Sequence, residues 1–224
     1  MEFLSTVKAR GNRSTWKIVQ TAKNNSGDQS VTSRTSTFGA APTSGNIIVA
    51  AASLRLRSEV IRFSDGTWNY VYQRSDNNPS AAIAWKVSDG TETDIIASHP
   101  GTAQRMAISI IEIENIKTTS INSNFTVSGS TGAFSTNTIS GETSFPQMAL
   151  AIWAGDDDGT DIGSRSYNNG FIEIDGSTTR PDSAFRVHVI MASQTIINGS
   201  GECTLTTINS THRGLGSIIM FENQ

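Results

Sequence analysis

Four aspartates fall within Gly155-Asp156-Asp157-Asp158-Gly159-Thr160-Asp161, the densest carboxylate cluster in the chain. Calcium takes several oxygen ligands from a flexible loop, so Asp156, Asp157, Asp158 and Asp161 are the candidate metal ligands and Ca2+ the ion they would take. The stretch lacks the alternating Asp/Asn spacing and distal Glu of an EF-hand, and a solvated acidic turn is the competing reading. Glu173-Ile174-Asp175 and Glu112-Ile113-Glu114 each set two carboxylates on one side of an extended chain. Glycoside hydrolysis needs two acids at a defined separation across the scissile bond, and neither pair is continued by a third acid. Both pairs read as solvent-facing strand positions. His99, His188 and His212 are far apart and show neither metal spacing nor a nucleophile signature. Cys203, in Glu202-Cys-Thr-Leu-Thr with no histidine beside it, reads as a buried structural thiol. No catalytic residue is assigned, the expectation is a protein that is not an enzyme, and no organic cofactor is expected.

Two other sets suit binding rather than catalysis. Trp68, Tyr70 and Tyr72 alternate in Trp68-Asn-Tyr-Val-Tyr-Gln73, which predicts one shared face. An exposed face of this kind would stack on sugar rings; the competing reading, favoured for three aromatics in register, is a core layer. Trp85 and Trp153 lie in apolar runs and are expected in the core. Lys8, Arg10 and Arg13, with Lys17 and Lys23, face only one acid, Glu2, in the stretch 1–25 of a chain whose net charge is -3. Residues 1–14 therefore read as a basic arm for docking on an acidic neighbour, another copy included, or as a solvated lead-in to the first strand. The overall negative charge argues against a nucleic-acid binder. No apolar run is long enough to enter a membrane, and the opening residues lack a signal-peptide pattern.

The elements that carry these residues are strands. Arg105-Met-Ala-Ile-Ser-Ile-Ile-Glu-Ile-Glu-Asn115 recurs in the second half, without a gap, as Arg213-Gly-Leu-Gly-Ser-Ile-Ile-Met-Phe-Glu-Asn223. Each copy is a β-branched apolar run of the kind that is buried on both faces of a sheet. Other strand patterns precede each copy: Thr15–Thr21, Ile47–Ser53, Trp68–Gln73, Ala81–Val87 and Thr93–Ser98 in the first half, then 145–154, 170–175, 184–190 and 203–208 in the second. In the first of these, alternation sets Trp16, Ile18 and Gln20 on one face. Turn signals such as Asp65-Gly66 and Asp89-Gly90 separate the strands, residues 122–142 read as edge strands, and no helical period occurs. With 36% hydrophobic and only 17% charged residues, the expectation is an all-β, antiparallel two-sheet β-sandwich built from two pseudo-repeated halves. Residues 15–224 form this single domain, and residues 1–14 the arm.

Trp16-Lys-Ile-Val-Gln, Ala41-Pro-Thr-Ser-Gly-Asn-Ile-Ile-Val-Ala, Trp68-Asn-Tyr-Val, Ala84-Trp-Lys-Val-Ser-Asp-Gly-Thr-Glu-Thr and Met106-Ala-Ile-Ser-Ile-Ile-Glu-Ile follow one order. In that order the chain resembles the concanavalin-like jelly-roll β-sandwich modules of tailed-phage and prophage structural, tail-fibre-associated proteins. Met148-Ala-Leu-Ala-Ile, Asn169-Gly-Phe and the closing strand extend the likeness over residues 15–224. The resemblance implies a jelly-roll sandwich and a non-enzymatic virion protein, made in the host cytoplasm and most simply a tail- or baseplate-associated fibre-type subunit. Its implied partners are other virion proteins, further copies in a homo-oligomer such as a trimer, and a host surface carbohydrate. The alternatives are a capsid decoration protein on the outer shell and, in another class, a carbohydrate-binding lectin or glycoside hydrolase. The chain departs from the pattern in its Arg-rich segment 54–62 and its basic segment 1–14, which are expected to be attachment surfaces of its own.

Overall fold

The computed structural model describes residues 15–27, 29–55, 59–74, 80–136, 138–140, 146–157, 165–175, 186–196 and 200–223. Every regular element among them is a β-strand. The first half carries β1 (Lys17–Asn25), β2 (Ser33–Thr37), β3 (Ile47–Leu54), β4 (Arg62–Phe63), β5 (Asn69–Arg74), β6 (Ser80–Val87), β7 (Asp94–Ser98) and β8 (Met106–Glu114). The second carries β9 (Ile116–Ser135), β10 (Ile139–Ser140), β11 (Gln147–Asp157), β12 (Arg165–Tyr167), β13 (Ile172–Glu173), β14 (Arg186–Ile196), β15 (Ser200–Gly201) and β16 (Thr204–Asn223).

The central strands are apolar without a break because both of their faces are covered. All eight residues of β3 are buried, and alternation divides them. Ile47, Val49 and Ala51 enter one core, while Ile48, Ala50, Ala52 and Leu54 enter another. In β11 the same alternation sends Met148, Leu150, Ile152 and Ala154 to the core shared with β3, and Ala149, Ala151 and Trp153 to a third. The shared core lies between two inner sheets, one contributed by each half. The first has the order β1-β8-β3-β6-β5, and the second repeats it as β9-β16-β11-β14-β13. The registers repeat as well. Ile47 pairs with Ile113 and Val87, and Met148 pairs with Phe221 and Thr195, the residues that stand in the same places of the second half. The sheets face one another with β3 over β11, β8 over β14 and β6 over β16, the arrangement of two copies about an approximate twofold axis. The antiparallel β-sandwich expected from the sequence is what forms, with the duplicated Ile110, Ile111, Ile218 and Ile219 all fully buried in it.

An outer layer caps each inner sheet. In the first half β2, β7 and β4 make a small sheet that covers the second core with Phe38, Phe63, Ile95 and Ala97. In the second half the corresponding layer grows out of the inner strands: the end of β9 and the strand β12 both pair with the start of β16. The first half breaks β7 from β8 at His99-Pro100-Gly101, where proline offers no N–H to a ladder. The matching stretch of β16 has no proline and continues, with only a slip of register between Thr206 and Thr211.

Two sequence expectations fail at the edges of the first inner sheet, both through a β-bulge. In β5, Tyr70 pairs with Ala84 and Tyr72 with Ile83, so Val71 is an extra residue. Trp68 therefore packs into the outer core and Tyr72 into the central one, and Trp68, Tyr70 and Tyr72 do not share a face. In β1, Ile18 pairs with Ile113 and Gln20 with Glu112, which makes Val19 the extra residue and parts Ile18 from Gln20. A third expectation also fails: Glu112 is not solvent-facing but fully buried, enclosed by Gln20 of β1 and by the turn before β3.

Candidate functional site

Among the described residues, the second inner sheet ends in a short edge and the sandwich is open at that seam. β13 pairs with β14 at only two positions, Ile172↔Ser193 and Glu173↔Ala192, whereas its counterpart β5 pairs with β6 at five. Opposite β13 across the seam stands β1, tied to it where Thr21 Oγ1 donates to the Asp175 carbonyl at 3.1 Å. Between them lies a groove of about 480 Å3, within the size range of ligand clefts. Trp16 and Ile18 line one wall, Ile172 and Ile174 the other, and Ser193, Gln194, Thr195 and Asp175 supply polar groups. Ile172 is 74% exposed, far more than a branched apolar side chain on a sheet edge needs to be. Gly170, at φ +76, makes room for Gln194: a Cβ there would lie 3.0 Å from the amide Nε2. An indole beside amide, hydroxyl and carboxylate groups suits the binding of a ring with one apolar face and a hydroxylated rim.

One acid of the pair beside this groove, Glu173, is already engaged. Glu173 receives Arg165 Nε at 3.0 Å and Arg165 Nη2 at 2.7 Å, and the Tyr167 hydroxyl donates to it as well. Burial, with the adjacent Glu173 carboxylate, raises the Tyr167 phenol well above its ordinary range, so it remains a neutral donor. Tyr167 also packs on Trp153, with ring centroids 5.7 Å apart. The result is a clamp that fastens the outer strand β12 to the edge strand β13. Asp175 is exposed and lies at the rim of the groove.

Glu112 has the same role in the first half. It accepts Gln20 Nε2 at 2.7 Å, the Thr43 N–H at 2.8 Å and Asn46 Nδ2 at 2.6 Å, joining β8 to the edge strand β1 and to the turn before β3. A third engaged carboxylate, the buried Glu92, lies 2.7 Å from Lys86 Nζ, under a second cavity of about 310 Å3. Burial pushes the Glu92 carboxyl up, and the hydrogen bonds from Lys86, Ser88 Oγ and the Asp89 backbone more than reverse it, to about 2. The Lys86 ammonium also donates to the Asp65 carbonyl and sits 5.5 Å from the centroid of the Trp68 ring. This end of the molecule is filled by its own cation.

The other sequence-predicted residues are dispersed. Trp68 and Tyr72 are buried, and the Tyr70 hydroxyl accepts the Phe63 N–H, so the three offer no common platform. Trp153 is fully buried and Trp85 half-buried against the central core. Asp156 lies near the end of the inner strand β11 and Asp157 is placed only by its backbone. Asp158 and Asp161 fall outside the described residues, as do Lys8, Arg10 and Arg13. Among the described residues no three His, Cys, Asp or Glu side chains gather as a metal would require. Cys203 is buried in the third core, where burial and the charge of Glu202 push its thiol up to about 12. Trp16, Ile172 and Gln194, which build the groove, carry no local signal: the first and the other two come from opposite halves of the chain. Comparison of the chain with protein-family models, with curated proteins and with solved structures finds no match in any of the three.

Proposed function

We propose that the chain is a non-enzymatic structural and adhesive protein of a tailed-phage particle, a tail- or baseplate-associated fibre-type subunit. It binds other virion proteins and, through the groove between β1 and β13, a host surface glycan. The observation that supports this reading best is the use of the acids. Glu173, Glu112 and Glu92 each fasten one strand or turn to another, and both oxygens of Glu173 are taken by Arg165 and Tyr167. What stands open beside them is an indole, an exposed isoleucine, a set of amide and hydroxyl groups and one free carboxylate, Asp175, where hydrolysis needs two acids; this is a surface for holding a saccharide rather than cleaving it. The rigid pseudo-twofold sandwich serves to present that surface.

The test is an array of bacterial surface glycans probed with the full chain. Binding is expected, with Trp16→Ala weakening it roughly tenfold or more, the loss of about 1.4 kcal/mol, while Tyr70→Ala leaves it unchanged. An array without hits removes the glycan reading. Failure to find the protein in purified particles removes the virion reading.

A further inference from the structure

Edge strands present unpaired N–H and C=O groups, and natural sheets protect them with lysines, prolines, bulges and short length. The edge strand β1 has two of these protections, Lys17 and Lys23 and the bulge at Val19, and is nine residues long. Its counterpart β9 runs for twenty residues. After Lys117, residues 118–135 contain neither a charge nor a proline. The register with β16 is unbroken from Ile121 to Thr131, and among the described residues β16 is the only strand that β9 pairs with. An edge this long, neutral and regular is suited to being covered.

We infer that β9 pairs, antiparallel, with β9 of a second copy of this chain, joining the second inner sheets of two molecules into one. The occupant is a second copy because the stretch complements itself. It carries no charge to recognise a charged partner, and antiparallel self-pairing sets no like charges against each other. A twofold axis at Thr126, the midpoint of the unbroken stretch, pairs residues 121–131 along their whole length. It also sets Phe125 of each copy at the register position opposite Val127 of the other, an aromatic–β-branched pair of the kind that stabilises sheets. This pairing deepens the reading of the chain as a self-assembling particle subunit, yet it is tested on the purified protein, so a failed glycan array or particle search leaves it standing.

The experiment measures the mass of the full chain by sedimentation at tens of micromolar, where a dimer is expected. Thr126→Lys and Thr126→Glu each place like charges face to face across the axis, and each should weaken the dimer at least tenfold. An equimolar mixture of the two should restore it, which a merely misfolded edge would not do. Thr126→Cys in a Cys203→Ala background gives a second readout: opposed Cα atoms in an antiparallel pair lie about 4.5–5.5 Å apart, within disulfide reach, so oxidation should link two chains. A monomeric wild-type chain overturns the inference. So do charge variants that dimerise as wild type does, or a Thr126→Cys chain that stays unlinked.

Discussion

The first half closes its outer layer with Asp65-Gly66, and the second closes the matching place with Asn169-Gly170. The backbones agree: φ is 59° and 91° in one, 53° and 76° in the other, two left-handed residues in succession, as in a tight type I′ turn. Beneath the turn they differ. Lys86 in the first half and Gln194 in the second occupy equivalent positions, paired with Ile48 of β3 and Ala149 of β11. In the first half the ammonium is held by Glu92 and covered by the Trp68 ring, and the edge strand beyond is long and bulged. In the second, an amide lies against Gly170, and among the described residues the edge strand is short and the seam beside it open. One duplicated backbone has thus been finished in two ways: one end sealed by a buried ion pair, the other left as a groove.

Breaking the ion pair should have the largest effect. Lys86→Met leaves Glu92 buried without its cation and should cost about 3–5 kcal/mol in denaturant unfolding. The pair should also show in acid. The Glu92 carboxyl lies below its ordinary value of 4.5, so its contribution is complete above that value and is lost as the pH falls toward about 2. Unfolding midpoints measured from pH 6 down to pH 2.5 should therefore fall less steeply in Glu92→Gln than in the wild type. An equal slope in both would mean that the pair is no acid-sensitive lock.

The turns should separate the halves by a smaller margin. Gly66→Ala and Gly170→Ala both place a side chain at positive φ, at a cost of roughly 1 kcal/mol each. At Gly170 the new Cβ would also press on Gln194 at 3.0 Å, while at Gly66 the nearest atom, Lys86 Nζ, lies at 3.5 Å. Thermal melts should place Gly170→Ala below Gly66→Ala, and the reverse order would mean that Gln194 swings aside freely.

Deleting Val71 should do least. In the second half Glu173 and Ile174 follow each other without a bulge, at the places of Tyr70 and Tyr72. A β5 without Val71 can therefore keep Tyr70 outside and Tyr72 in the central core, and stability should fall by less than about 1 kcal/mol. A deletion that unfolds the chain would show the bulge to be essential to the sheet.

Much of the scaffold was legible because central strands obey a local rule. Runs such as Ile47–Leu54 and Met106–Glu114 are apolar at almost every step, and only a strand covered on both faces has that need. The repeated Ser-Ile-Ile and Glu-Asn announced a matched pair of inner strands before any pairing was known. The edges were less legible. A bulge follows from how a strand meets its neighbour, so alternation read along Trp68–Gln73 or Thr15–Thr21 assigned faces that a single extra residue reverses. Glu112 was misread for a related reason: its burial depends on Gln20 of β1 and on Thr43 and Asn46 of the turn before β3, to which no feature of its own strand points.

The sequence by itself determined that this chain forms strands, that they come in two matched sets, and that Ile110, Ile111, Ile218 and Ile219 lie inside. These are properties of short runs, and hydrophobic pattern with turn chemistry decides them locally. Only the tertiary structure decided that Trp16 and Ile172 line one groove, that Arg165 clamps Glu173, and that Trp68 and Tyr72 divide between two cores. Those outcomes depend on which strands become neighbours when two sheets stack, a choice made by the burial of the whole molecule rather than by any one stretch of it.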